Sequence, residues 1–202
     1  MPNIDLAQSV KAQFAKIFQA SDYKLFKAIA ELNLHDAAHL KSADMLTKPP
    51  LSPRLARNCR KRLLIGVGVE LLVKAVYLKN GFCINIPTRT SNDPRFPFRH
   101  TQTTGMTLKN DKTRSLDELI QHLSKIITLQ NRDATLNGLT IAQVFRNKEG
   151  HGITQKHHFV RSNYRDIENS LIALYRDAFG ERLSVRFSME PREQALWRVS
   201  PC

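Results

Sequence analysis

The chain has 202 residues, 42% hydrophobic and 24% charged, which suits a globular protein with one sizeable core and argues against a disordered or fibrous chain. Its 31 lysines and arginines against 18 acids give a formal charge of +13, favouring anionic partners, nucleic acid first and an anionic membrane second. Cys59, Cys83 and Cys202 are dispersed and form no CxxC pair, which speaks against a disulfide framework or structural zinc site and for a reducing compartment.

The first residues, Met1-Pro2-Asn3-Ile4-Asp5, lack the basic and apolar regions of a signal peptide, so a cytoplasmic location is expected. Within 3–20, Val10, Phe14, Ile17 and Phe18 fall on one face of an amphipathic helix. Leu25, Ile29 and Leu32 repeat the pattern after Asp22, read as an N-cap. A third short helical piece is expected over 36–46, before the breaker Pro49-Pro50-Leu51-Ser52-Pro53. Residues 1–50 thus read as an N-terminal helical extension.

Ser52 and Pro53 suit a cap and first helical position. The helix they open runs to Lys79 and stops at Asn80-Gly81. Its first turns carry Arg54, Arg57, Arg60, Lys61 and Arg62 with no acid among them, and these five are candidate RNA contacts. The run Leu63 to Leu78 is interrupted by Glu70 and Lys74 and is too short to span a bilayer, so it reads as a buried central helix and no membrane partner is expected. Gly66 and Gly68 weaken it by roughly 1 kcal/mol each relative to alanine, and their use is to let another helix, or a twin subunit, come close. Arg62, Gly66, Glu70, Lys74 and Tyr77 share a face, a polar stripe suited to line a dimer cleft.

Residues 82–114 read as a long, irregular basic loop broken by Pro87, Pro94, Pro97 and Gly105, with Phe82 to Ile86 as a short extended stretch. Arg89, Arg95, Arg99, His100, Lys109, Lys112 and Arg114 make it basic; Arg95 and Arg99 are further candidate RNA contacts. Ser115 and Glu118 form a capping box. The helix it opens places Leu116, Leu119, Ile120, Leu123, Ile126 and Ile127 on one face. Asn137-Gly138 marks another helical start, leading through Ile141, Val144 and Phe145 to Arg146. A last helix over 159–179 shows Tyr164, Ile167, Leu171, Leu174 and Ala178 at helical spacing and ends at Gly180. Leu183, Val185, Phe187 and Met189 then alternate with polar residues, predicting one short strand. The expected architecture is all-α: a bundle of four to five main helices over 51–180, with a long basic loop and a short C-terminal strand extension over 181–202, all one compact unit.

The chemistry concentrates at Arg146-Asn147-Lys148-Glu149-Gly150-His151. Residues five apart lie on different faces of a straight helix, and Gly150 can end or distort the helix so that Arg146 and His151 point into one cleft. RNA strand scission needs a base for the ribose 2′-hydroxyl, a cation for the phosphate and an acid for the departing 5′-oxygen. Histidine titrates near neutrality and serves as base or acid. Arginine stays protonated and presents a planar fork to phosphate. Asn147 would hold a phosphate or orient the imidazole, and Lys148 adds a supporting cation. This chemistry requires no metal or cofactor, and none is advertised.

These residues resemble the HEPN superfamily, helical bundles whose catalytic members carry Arg-x4–6-His, commonly with Asn after Arg. An earlier helix of that family often reads Glu-Leu-Leu-x-Lys-Ala followed by glycine, and this chain has Glu70-Leu71-Leu72-Val73-Lys74-Ala75 and then Gly81. The Ser115 to Ile120 segment also looks like the family's third helix, and the resemblance covers roughly 53–180. It implies a metal-independent endoribonuclease, dimeric so that two Arg/His motifs face one cleft, leaving 2′,3′-cyclic phosphate and 5′-hydroxyl ends. Members are commonly toxins or defence effectors, some paired with an antitoxin or housed in a defence complex. The His-x-Tyr extension of some toxin members is absent, since Gly152 and Ile153 follow His151.

Glu70 and Lys74 at i, i+4 form a favourable helix ion pair; the resemblance also implies a role for Glu70 in orienting Arg146 or His151. His35 and His39 at i, i+4 find no third metal ligand. His157-His158 read as a surface pair, and Trp197 carries no chemistry. The alternative class is a non-catalytic RNA- or DNA-binding helical subunit of a defence complex, using 54–62 and 89–114.

Overall fold

The computed structural model describes residues 3–40, 51–88, 95–150 and 161–187, with side chains in all of these except 3–5, 51–56, 149–150 and 161. It has six α-helices among these residues: α1 Asn3–Phe14, α2 Tyr23–His39, α3 Leu51–Lys79, α4 Leu116–His122, α5 Arg132–Gly150 and α6 Arg161–Phe179. The all-α expectation holds, with one small antiparallel sheet of β1 Asn85–Pro87 and β2 Leu108–Thr113. No helix of the described residues is long and apolar enough to cross a membrane.

The central helix is α3, because every residue from Leu72 to Leu78 is buried. It begins two residues before the expected Pro53 and ends where Gly81 takes a φ of +75°. There the Phe82 N–H turns back to the Tyr77 carbonyl at 3.0 Å.

One face of α3 receives α2. The contact forms where α3 has no side chain: a β-carbon on Gly68 would lie 2.8 Å from Leu34 Cγ and 3.2 Å from the Ala30 carbonyl oxygen. The inward face of α2 is accordingly Phe26, Ala30, Leu34 and Ala37, all buried. This corrects the expected face, since Leu25, Ile29 and Leu32 are 55%, 39% and 60% exposed. α2 carries two apolar stripes, and the alanines of the other one allow the closer approach. α2 is therefore part of the core, whose apolar cluster includes all four of its inward residues.

Asp22 holds the N-cap position of α2 as expected, but its side chain makes no capping hydrogen bond there. Its carboxylate accepts the Gln19 N–H at 2.7 Å and Lys16 Nζ at 2.8 Å, closing a 3-10 turn over Ala20–Asp22 ahead of α2. The Lys16 hydrogen bond and the Gln19 amide hold that carboxyl below the usual range. α1 stops at Phe14 and leaves Leu6, Val10 and Phe14 exposed. Phe18 turns inward and meets Phe26 edge to face at 4.9 Å. The expected helical piece over 36–46 is α2 as far as His39, its remainder lying outside the described residues.

The stretch read as an irregular loop is more ordered than expected. β1 and β2 pair antiparallel with Ile86 opposite Lys109 and a register shift beside Asn85. Asn85 is fully buried and ties this hairpin to the segment before α2: its amide donates to the Lys16 and Lys109 carbonyls at 3.0 and 3.1 Å and accepts the Phe18 N–H at 2.9 Å. Between the strands, Phe96 stacks on Tyr77 at 5.6 Å while the Arg114 guanidinium lies 4.7 Å from the Phe96 ring.

α4 opens at Ser115 as expected, its Oγ accepting the Glu118 N–H at 3.3 Å, but the Glu118 carboxylate takes Arg114 instead of completing the capping box; the helix then tightens into a 3-10 turn over Leu123–Lys125. α5 starts at Arg132, five residues before the Asn137-Gly138 signal. Gly138 is a helix-packing position: a β-carbon there would lie 2.0 Å from Ser170 Oγ and 2.5 Å from the Asp166 carbonyl of α6. α6 follows its expected periodicity and ends at Gly180 with φ +69°.

Beyond α6, Leu183, Val185 and Phe187 are buried while Ser184 is exposed, so the alternation is present. No strand forms there among the described residues, which corrects the C-terminal strand as far as Phe187. The backbone of Phe187 pairs with side chains instead of a neighbouring strand: its N–H donates to Glu168, and its carbonyl accepts Lys61 Nζ at 2.7 Å.

Gly138→Ala must push the α6 backbone away. We expect a loss of about 1 to 3 kcal/mol in unfolding free energy by chemical denaturation. Unchanged stability would show that α5 and α6 can separate there at no cost.

Candidate active site

Gly66 lies beneath Arg146. A β-carbon on Gly66 would sit 2.5 Å from Arg146 Cβ and 2.8 Å from its Cα and backbone nitrogen. α5 can therefore lie directly on α3 at this point, bringing Arg146 over the turn that carries Glu70. The Arg146 guanidinium pairs through Nε with one carboxylate oxygen of Glu70. The other oxygen accepts Lys74 Nζ at 2.7 Å. Glu70 and Lys74 side chains are only 13% and 10% exposed, whereas that of Arg146 is 43% exposed.

This geometry assigns different duties to similar charges. Glu70 is anchored by the i, i+4 pair with Lys74, so the carboxylate reaches Arg146 in a fixed place. Nε is taken up by Glu70, and the outer part of the guanidinium faces solvent with Nη1 3.3 Å from Asn147 Oδ1. An arginine held along one edge and open along the other is prepared to meet a phosphate without rearranging. Asn147 is exposed and Lys148 half-buried on the same last turns of α5. α5 stays helical through Gly150, its last described residue, and His151 lies outside the described residues, as do His157 and His158.

The polar stripe along α3 is corrected in its role. Tyr77 is fully buried, donates its hydroxyl to the Leu119 carbonyl at 2.8 Å, and burial pushes its phenol well above the usual range. Arg62 and Lys74 are also buried, and α5 covers Gly66. The stripe is occupied within the chain rather than lining a cleft between copies.

The candidate RNA contacts divide similarly. Arg57 and Arg60 are exposed near the start of α3, Arg95 and Arg99 are exposed beyond β1, and the Arg54 side chain lies outside those described. Arg99 rests 5.2 Å from the Phe82 ring. Lys61 and Arg62 are 5% and 7% exposed, which corrects their assignment to a basic surface. Lys61 points at the Phe187 carbonyl and lies 5.5 Å from the Tyr164 ring. No sequence signal marked this, because the partners come from the far end of the chain.

The sequence reading missed two other groups. Lys27 lies between Glu181, at 2.7 Å, and Glu31, at 3.5 Å, beside the Tyr175 and Phe179 rings, at the edge of a cavity of ≈310 Å³. Burial alone would push the Lys27 ammonium down, but the two glutamates outweigh it and raise it. The i, i+4 pairs Lys27/Glu31 and Tyr175/Phe179 were its available signal. Arg114, paired with Glu118 at 2.6 Å, packs with Phe96, which meets His122 edge to face. His35 and His39 stack at 4.0 Å on the surface, and no group of three metal-binding side chains is gathered among the described residues. No family model, curated protein or solved structure matches this chain.

Glu70→Gln preserves shape but removes the charge shared by Lys74 and Arg146. We expect it to lower stability by about 2 kcal/mol. Lys74→Met should add less in the Glu70→Gln background than alone; strictly additive losses would mean that the charges act independently.

Proposed function

We propose that the chain is a metal-independent endoribonuclease of the HEPN type, dimeric and acting as a toxin or defence effector. The observation that carries this reading is the paired, outward-facing Arg146, held by a carboxylate that Lys74 fixes in place. The Arg146-Asn147 and His151 spacing, the Glu70 to Ala75 motif and the charge of +13 support it.

In the proposed reaction, the ribose 2′-oxygen attacks the adjacent phosphorus and gives its proton to a histidine acting as base. The phosphorus–O5′ bond breaks, and an acid protonates the departing oxygen. The products are a 2′,3′-cyclic phosphate and a 5′-hydroxyl, with no change in oxidation state. His151 is assigned the proton transfers, Arg146 the charge growing on the phosphate, and Asn147 a phosphate or imidazole contact. Glu70 is a positioning residue, acting through Arg146. Arg57, Arg60, Arg95 and Arg99, with Arg54, are assigned to the RNA backbone, where counterion release would make binding salt-dependent. An antitoxin or defence-complex protein is the further partner this reading allows.

The test is single-stranded RNA incubated with the protein and EDTA. Cleavage should persist and fall by about a hundredfold or more in both Arg146→Ala and His151→Ala. Arg146→Lys should restore little, since a lysine keeps the charge without the fork. EDTA-sensitive or mutation-insensitive cleavage would sink the assignment. Salt-dependent RNA binding without product would favour a non-catalytic binding subunit.

A further inference from the structure

The outward stripe of α2 is exposed among the described residues, with Ala28 at the edge of the cavity beside Phe179. Leu25, Ile29 and Leu32 are 55%, 39% and 60% exposed, with exposed Ala28 between them. They repeat at i, i+3, i+4 and i+7, so they form one continuous line along the helix, separate from the buried line of Phe26, Ala30, Leu34 and Ala37. A helix with apolar residues on two faces is suited to contacts on both.

The charges at the ends of this stripe are unlike. Lys24, exposed, flanks its N-terminal end, and Asp36, 55% exposed, stands in line with it at the C-terminal end. If a second α2 lies antiparallel across the first, Leu25 meets Leu32 of the other copy, and Ala28 meets Ile29. Each Asp36 then reaches the opposite helix's first turn, where both Lys24 and the positive end of the helix dipole favour it. A parallel arrangement would instead set Lys24 beside Lys24 and Asp36 beside Asp36. The stripe is thus self-complementary in one orientation only, as a two-fold contact requires.

We propose that α2 is a self-association surface on which a second copy of this chain docks antiparallel, through Leu25, Ala28, Ile29 and Leu32, with Lys24–Asp36 pairs at both ends. The contact is separate from the candidate active site. α2 meets α3 at Gly68 and α5 meets it at Gly66, and residues two apart on a helix point to nearly opposite sides. Pairing through α2 therefore leaves Arg146 on the far side of each α3. It also stands independently of the ribonuclease reading, whose dimer would bring the active sites together. Seventeen residues of helix span about 25 Å, a small interface, so association should be concentration-dependent.

The experiment is sedimentation or light scattering of the full chain over a concentration series, with RNA cleavage assayed in parallel. The parent should exceed its monomer mass of 23.1 kDa, and Leu25→Glu with Leu32→Glu should halve the assembly mass without changing the thermal transition, since both side chains are already mostly exposed. Asp36→Lys alone should weaken association about fivefold, counting two symmetry-related pairs. Adding Lys24→Glu should restore it by exchanging the signs. A parent monomeric at every concentration, or an assembly mass unaffected by the leucine substitutions, overturns the proposal. Failure of the charge exchange to rescue overturns the antiparallel register. Association that survives these changes but is lost in Arg146→Ala would place the contact at the active site instead.

Discussion

The absence of a side chain at Gly66 governs how near α5 comes to α3, and the candidate site depends on that distance. With a methyl group there, Arg146 could not keep its backbone where it is, and its guanidinium would not share a carboxylate with Lys74. Gly68, two residues on, does the same for α2 on another side of the helix. α3 thus gives up intrinsic helix stability at two positions to accept a neighbour at each. The surrounding helices bury it so completely from Leu72 to Leu78 that packing, not propensity, maintains it.

Glu70 resolves a problem common to strongly basic chains. Two cations drawn together at the meeting of α3 and α5 would repel, and around Lys74 and Glu70, 10% and 13% exposed, solvent does little to screen them. One carboxylate, offering an oxygen to each, makes the local excess a single positive charge and fixes its location. The excess is left on Arg146, the most exposed member of the three. Structural neutralisation and a poised anion site are therefore the same arrangement, and stability and any function at Arg146 draw on one residue.

Much of this was legible in the sequence where a signal is local. The cap at Ser115, the helical spacing through α6, and the stops at Gly81 and Gly180 all act within a turn of where they are read. The errors fall where the deciding partner is distant. α2 offers two apolar stripes at the same period, and only the glycine on α3 decides which is inside. Gly138 looked like a helix start, yet its lack of a side chain serves Ser170 and Asp166 on another helix. β2 reads Leu-Lys-Asn-Asp-Lys-Thr and is mostly exposed, so it carries no apolar alternation to detect. Lys61 and Arg62 resembled their exposed neighbours Arg57 and Arg60 in composition, and burial alone separates them. In the candidate site, Arg146, Asn147, Glu70 and Lys74 could be named from motif, but the sharing of one carboxylate needed the crossing of α3 and α5.

The hold on Phe187 has a consequence for how the chain matures. Lys61 waits for a carbonyl 126 residues further along, and Glu168 for the amide of the same residue. During synthesis α3 emerges well before Phe187, so these two bonds can form only after the helices they join have been made. Neither closes until Phe187 has left the ribosome. The closing of α3 and α6 onto Phe187 is in that sense timed by translation.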